Sequence, residues 1–190
     1  TCIELSMLGK DEAVAMLLEV AGINKHTYQT DNPGSQWPPP AAYDLATECG
    51  LLPITLTITA QVVRSWGRGW EESVLPLLRE EHGAGTGRRA TTVEERIIGA
   101  GLKSLRDNED AAAIKALFEM FAVTQEDFVH PMAVIELLWW SCCTPPTEAR
   151  GTVGSSIGLG MRLKVRQWTQ LLIEQSLLLG SSSKGVHLHD

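Results

Sequence analysis

The chain has 190 residues, of which 44% are hydrophobic, enough to fill one medium core or two small ones. Its formal net charge of -7 argues against nonspecific binding to nucleic acid, which depends on clustered lysine and arginine. Because no apolar run approaches the roughly 20 residues of a membrane helix and no signal-peptide pattern opens the chain, we expect a cytoplasmic protein that does not enter a membrane.

The first half of the sequence predicts four helices. The first ends at Gly22, a common C-terminal stop, and carries four apolar residues on one face: Ala13, Met16, Leu17 and Val20. The stretch from Asn24 to Pro40, with Asn-Pro-Gly-Ser and a triple proline, predicts a loop. A second helix is expected over about residues 41–49, a third begins at Pro53, and a fourth covers Trp70 to Leu78.

One segment of the third helix gives two contradictory signals. Ile54, Leu56 and Ile58 alternate with threonines, which is the period-two pattern of a strand. Leu56, Ala60 and Val63 at the same time fit one face of a helix. Composition alone therefore leaves this segment undecided between strand and helix.

The second half predicts helices followed by a β-hairpin. The Gly- and Arg-rich stretch from His82 to Arg89 predicts a connector, and we place a subdomain boundary near residue 90. Apolar residues at helical spacing predict four helices beyond it: residues 98–105, 114–121, 131–140 and 165–175. A long loop is expected from Thr144 to Gly160. Two short strands, Ser176 to Leu179 and Val186 to His189, complete a hairpin, so the last three helices and the hairpin follow winged-helix order.

The sequence lacks the motifs of several enzyme classes. It contains no G-x-x-x-x-G-K-[ST] phosphate-binding loop, and no lysine has the glycine context that such a loop requires. It also contains no G-x-S-x-G nucleophile elbow and no zinc-ligand spacing of cysteine or histidine. We therefore predict no catalytic residue and no metal ligand, and we expect the four cysteines to be reduced thiols.

Several segments carry a resemblance that spans nearly the whole chain. The resemblance begins with Leu5 to Gly22, which looks like the first helix after a sensor strand. The other segments are Cys-Gly-Leu-Leu-Pro-Ile at Cys49 to Ile54, Trp70 to Leu78, Leu-Phe-Glu-Met-Phe-Ala-Val from Leu117 with Glu126-Asp127, and Val-His-Leu-His-Asp at Val186 to Asp190. In this order they resemble the Cys-Gly-Gly-Leu-Pro-Leu, W-x-x-x-L-x-x-L, leucine-phenylalanine and methionine-histidine-aspartate signatures of the NB-ARC domain of STAND-type signal-transducing NTPases. Three departures from the signatures are Leu51 for the second glycine, Ile54 for a leucine, and Thr124-Gln125 for an aromatic residue and proline.

The resemblance implies a mainly α fold in two parts. Residues 1–90 form a helical subdomain, and residues 91–190 form a winged-helix subdomain with a small β-hairpin wing. The resemblance also places the segment from Ile54 to Thr59 in a helix. Since the chain starts at Thr1 and stops within a strand pattern at Asp190, we expect both ends to be cut from a longer protein. The implied neighbours are a P-loop subdomain upstream and a repeat or sensor domain downstream.

The function that the resemblance implies is the regulatory half of a molecular switch that binds ADP or ATP. Pro53 packs on the adenine and His189 approaches the β-phosphate of ADP, holding a closed signalling state, while Gly50, Leu52 and Asp190 support these contacts. The missing P-loop subdomain holds most of the nucleotide, and Mg²⁺ is not contacted by this chain. On its own the chain is not an enzyme; its parent is a slow ATPase of defence signalling that oligomerises on activation.

Two alternatives remain open at the sequence level. The first is a winged-helix regulator that binds DNA, with a recognition helix from Lys164 to Gln175 and a locally basic start from Met161 to Arg166. The second is a degenerate protein-interaction module without a nucleotide role, which the substitutions at Leu51, Ile54 and Thr124-Gln125 keep open.

Overall fold

The structure is a computed structural model that describes residues 8–83, 92–105, 108–122, 124, 128–143 and 159–188. Over these residues the chain is mainly helical with a C-terminal β-hairpin, as the sequence predicts; it has nine helices, one more than predicted, and one antiparallel sheet of two strands. The chain divides into two compact units, Thr1–Arg106 and Asp107–Asp190. None of the helices described is long and apolar enough to cross a membrane.

The first unit is built around one central helix. Its described residues contain six helices: α1 Lys10–Ala21, α2 Lys25–Asp31, α3 Pro40–Glu48, α4 Pro53–Trp66, α5 Trp70–Gly83 and α6 Val93–Ser104. Helix α4 packs against α1, α5 and α6, and α1 and α5 also pack against α3. Leu56, Ala60 and Val62 of α4 are fully buried, so α4 forms the middle of the core.

Helix α2 corrects the sequence analysis, which predicts a loop from Asn24 to Pro40. The Asn24 side chain caps this helix by accepting a hydrogen bond from the Thr27 amide at 2.9 Å. No residue of α2 is buried, so the helix leaves no apolar stripe in the sequence by which it could be recognised. The prediction was wrong here because a polar helix on a surface has the composition of a loop.

The segment from Ile54 to Thr59 is helical, as the resemblance implied and the alternation of residues did not. Pro53 occupies the first turn of α4, where its missing N–H removes no helical hydrogen bond. Thr55 and Thr59 are buried and hydrogen-bonded, so these two threonines lie inside the core and not on the solvent face of a strand.

The boundary between the two compact units lies after Arg106, sixteen residues beyond the boundary expected near residue 90. Helix α6 begins at a capping box in which Thr92 and Glu95 exchange side-chain and backbone hydrogen bonds. Ile97 and Ala100 of α6 are buried, and the helix packs against α4 and α5. Helix α6 therefore belongs to the first unit.

The second unit has the element order of a winged helix. Its described residues form α7 Ala111–Phe121, α8 Met132–Cys143, α9 Leu159–Glu174, β1 Leu179–Ser181 and β2 Gly185–His187. The two strands pair antiparallel, with Leu179 opposite His187. Just before α8, the His130 amide donates to Val186 O at 2.8 Å and the Val186 amide donates to His130 O at 3.0 Å. The hairpin is thereby fastened to the start of α8.

A polar cluster around Asp110 ties the helices of the second unit together. The Asp110 carboxylate accepts hydrogen bonds from Trp168 Nε1 and from Lys164 Nζ, both at 3.0 Å. These bonds, that from Trp168 first, hold the pKa of Asp110 below its ordinary value. On α8, Trp139 meets Trp168 edge-on with 5.2 Å between ring centroids, so the cluster connects α7, α8 and α9.

Two predicted connectors lie largely beyond what the structure describes. These are the stretch from His82 to Arg89, described only as far as Gly83, and the loop from Thr144 to Gly160, described only from Leu159. Helix α9 begins at Leu159, earlier than the predicted start near residue 165. Strand β1 begins later than expected, because Leu177 and Leu178 are buried and their amides bond to Leu172 O at the end of α9.

Candidate functional site

The loop between α3 and α4 carries the predicted adenine contact and its supporting residues. Gly50 and Leu51 both have positive φ angles, 64° and 59°. A Cβ on Gly50 would meet only ordinary contacts at 4.0 Å, so the position needs glycine for its φ and not for space. Leu51 adopts the same left-handed region despite its side chain, which costs about 1–2 kcal/mol. The position at which Leu51 departs from the NB-ARC signature thus has a conformation that suits glycine.

Two buried threonines fix this loop to α4. The Thr55 hydroxyl lies 2.6 Å from Cys49 O and 2.8 Å from Leu52 O, so its proton can be donated to either carbonyl. The Thr59 hydroxyl lies 3.1 Å from the sulfur of Cys49. Burial raises the pKa of the Cys49 thiol to about 12, so this cysteine is a neutral packing residue and not a nucleophile.

The loop leaves the start of α4 open to solvent. Pro53 is exposed, and Leu52, at the N-cap position, supplies no side-chain hydrogen bond to the helix. Among the residues that the structure describes, no acceptor meets the amides of Ile54 and Thr55. A rigid apolar ring thus stands beside the amide of the half-buried Ile54 at the positive end of a helix, an arrangement that suits a flat ring attached to a negatively charged group.

A charged cluster lies next to the loop, at the C-terminal end of α3. Glu48, at the end of α3, accepts from Arg79 Nε at 3.0 Å and from Arg96 Nη1 at 3.4 Å. Arg96 Nε is buried and has no partner within the described part of the chain. These contacts link α3, α5 and α6, and Val93 of α6 lies against Gly50. The loop is therefore held between three helices.

The second half of the predicted site consists of His189 and Asp190. His189 and Asp190 lie outside the described residues, and so do Glu126 and Asp127 of the winged-helix signature. Gly50, Leu52 and Pro53 do come together in one loop of the first unit. Convergence of Pro53 and His189 on one nucleotide thus stays a prediction.

One cavity of the first unit lies at a distance from this loop. It has a volume of about 300 Å³ and is lined at the C-terminal end of α4 by residues that include Tyr28, Asp31, Arg64, Arg68 and Glu71. With 14 residues in α4, this cavity is roughly 20 Å from Pro53. Its lining carries two carboxylates and two guanidinium groups, so its charge selects neither an anion nor a cation.

The basic start of α9, which supported the DNA-binding alternative, is engaged within its own unit. Arg166 and Arg162 lie 2.7 Å and 3.7 Å from the carboxylate oxygens of Glu136, and Lys164 pairs with Asp110 at 3.0 Å. A recognition helix needs such side chains for phosphates and base edges. Lys164 is taken from such contacts by Asp110, whereas the outer nitrogens of Arg162 and Arg166 have no acceptor among the described residues, so the pairing removes one of the three basic side chains from the DNA-binding alternative.

Sequence reasoning missed the residues that hold the candidate loop. In the sequence Thr55 and Thr59 belong to a strand-like alternation. Two threonines four residues apart in an apolar helix are nevertheless a signal for buried side-chain hydrogen bonds. The Glu48 cluster had no signal in the sequence, because Arg79 and Arg96 lie far from Glu48 along the chain.

Comparison with known proteins yields no relative: no family model and no curated protein matches this chain. Within the described ranges, no group of three or more His, Cys, Asp and Glu side chains is arranged to hold a metal ion.

Proposed function

We propose that the chain is the regulatory half of an NB-ARC-type switch that binds ADP or ATP together with an upstream P-loop subdomain. The observation that carries the proposal is the loop at Gly50 to Pro53, where a sequence similar to an NB-ARC signature ends in an exposed proline at the N-terminus of α4. The winged-helix order of the second unit supports the same family.

In this proposal the first unit covers the adenine. The ring of Pro53 supplies a rigid apolar face for the base, and Gly50 and Leu52 shape the loop that presents it. The amide of Ile54 provides a hydrogen-bond donor at the edge of the same surface. Because two buried threonines and three helices hold the loop, the contact is preorganised before the nucleotide binds.

The second unit senses the phosphates in this proposal. His189 donates a hydrogen bond to the β-phosphate of ADP, and Asp190 orients the surroundings of that histidine. A switch of this kind requires its two states to bind ADP and ATP with different affinity, and His189 supplies the difference. Hydrolysis is assigned to no residue of the chain, so the cytoplasmic parent protein, through its P-loop subdomain, carries any slow ATPase activity.

The adenine contact is tested with Pro53→Ala in a longer chain that includes the P-loop subdomain. Two ring methylenes are lost, so ADP affinity falls roughly fivefold, which corresponds to about 1 kcal/mol. Pro40→Ala is the matched control, because Pro40 is also an exposed proline in the first turn of a helix. Isothermal titration calorimetry with ADP measures both variants against the wild type.

Equal ADP affinity for wild type, Pro53→Ala and Pro40→Ala would remove the adenine contact from the proposal. The 190 residues without a P-loop subdomain are expected to bind ADP poorly. Tight binding by these residues alone would contradict the need for an upstream partner.

A further inference from the structure

Four exposed residues of α9 form one stripe, named here the α9 stripe: Leu159, Arg162, Leu163 and Arg166. Their spacing of three and four residues places them on a single helical face, with apolar and basic side chains alternating along it. Leu159 and Leu163 are 73% and 52% exposed, unusual values for leucine, and no described residue covers them. The opposite face of α9 is buried through Val165, Trp168 and Leu172.

A buried carboxylate beneath the stripe orients both arginines. Glu136 of α8 has a side chain only 5% exposed, and its two oxygens face Arg166 Nε at 2.7 Å and Arg162 Nε at 3.7 Å. A buried carboxylate needs such partners, because an unpaired charge inside a protein is costly. Glu136 therefore accepts a hydrogen bond from Arg166 Nε and holds Arg162 at ion-pair distance, also on the Nε side.

Anchoring through Nε leaves the outer nitrogens of both arginines available. The two side chains are 44% and 55% exposed, and no acceptor for their Nη atoms occurs among the residues that the structure describes. Two parallel N–H groups on a planar guanidinium match the two oxygens of a carboxylate. Arg162 and Arg166 thus present two oriented forks one helical turn apart.

We propose that the α9 stripe docks an acidic amphipathic helix of a partner protein. Carboxylates four residues apart on such a helix would meet the two guanidinium forks, and apolar residues beside them would cover Leu159 and Leu163. The proposal does not depend on nucleotide binding, and it gives the second unit a role in recognition that the switch function does not require.

The composition of the stripe favours a protein helix over nucleic acid. Lys164, the remaining basic residue in this part of α9, turns away to Asp110 at 3.0 Å and adds no charge to the stripe. Two exposed leucines contribute nothing to a contact with phosphates, and the chain as a whole carries a net charge of -7. On an acidic amphipathic helix, carboxylates can pair with the two arginines while the neighbouring apolar side chains cover the two leucines.

The test measures fluorescence anisotropy of a labelled helical peptide of about 16 residues, made of Glu, Leu and Ala, with glutamates four residues apart beside leucines. The complete chain is titrated against this peptide and against a copy with Gln in place of Glu. The protein variants are Arg162→Gln/Arg166→Gln together, Arg166→Lys, and the control Lys115→Gln, which removes an exposed charge from α7. Circular dichroism checks that each variant is folded.

Wild type and Lys115→Gln are expected to bind the Glu peptide equally and the Gln peptide at least about tenfold more weakly. The double arginine variant loses a similar factor, and Arg166→Lys loses severalfold, because lysine keeps the charge without the fork. The proposal is overturned if the wild type does not bind the Glu peptide or prefers a DNA duplex of similar charge. It is also overturned if Arg166→Lys binds like wild type, a result that remains informative should the double variant fail to fold.

Discussion

At the scale of single residues, the loop at Gly50 to Pro53 shows what a local motif can and cannot predict. The sequence indicated a helix end at Gly50 and a helix start at Pro53, and the structure has both. It did not indicate the left-handed conformation of Leu51, because leucine rarely adopts positive φ. Leu51 lies in a connection of four residues between the end of α3 at Glu48 and the start of α4 at Pro53, and its conformation depends on how the folded chain joins these helices.

Gly50→Ala tests the conformational role of that glycine. At a φ of 64° an alanine is strained, so the free energy of unfolding should fall by about 1 kcal/mol. Gly160→Ala is the matched control in α9, where an added Cβ meets nothing within 4 Å, and it should be neutral or stabilise by about 0.5 kcal/mol. Urea unfolding measures both. A larger loss for Gly160→Ala than for Gly50→Ala would contradict this explanation of the loop.

At the scale of elements, helices with a buried face were predictable and a helix without one was not. The helices α1 and α7 carry apolar stripes in the sequence, whereas α2 buries no residue and was predicted as loop. The threonines of α4 produce a strand pattern because threonine counts as a polar, solvent-facing residue in an alternation of polar and apolar residues. In the folded chain Thr55 and Thr59 are buried, and their hydroxyl groups form hydrogen bonds there. Both errors arise from contacts that only the folded chain provides.

Asp110→Asn tests the polar cluster that connects α7 and α9. The folded-state pKa of Asp110 is lowered by its hydrogen bonds, so its charge stabilises the fold above the ordinary aspartate pKa of about 3.8, and this stabilisation is lost as the pH falls through the lower folded pKa. Wild type should therefore exceed Asp110→Asn in stability at neutral pH, with the difference shrinking below about pH 4. Urea midpoints followed by tryptophan fluorescence at several pH values measure this. A difference that is constant with pH would exclude the charge as its cause.

At the scale of the whole molecule, the fold class and the wing were predictable, and the division of the chain was less so. A predicted connector placed the boundary near residue 90, but α6 packs against α4 and α5, and the units divide after Arg106. The pairing of His130 with Val186 joins positions far apart in the sequence, and no local pattern indicates it. The unit boundary and the His130–Val186 pairing both depend on contacts between segments that are distant in the sequence.

The proposed site is split across this division. Pro53 belongs to the first unit, and His189, in the second, lies outside the described residues. The switch therefore depends on whether nucleotide retention requires the histidine as well as the proline.

The most direct test is the rate at which bound ADP leaves the longer chain that includes the P-loop subdomain, measured for wild type, His189→Ala and the neighbouring control His187→Ala. The account predicts that His189→Ala releases ADP at least about tenfold faster than wild type, because a hydrogen bond to a charged phosphate oxygen is lost. His187→Ala should release ADP at the wild-type rate. Equal release rates for wild type and His189→Ala would contradict the proposed lock.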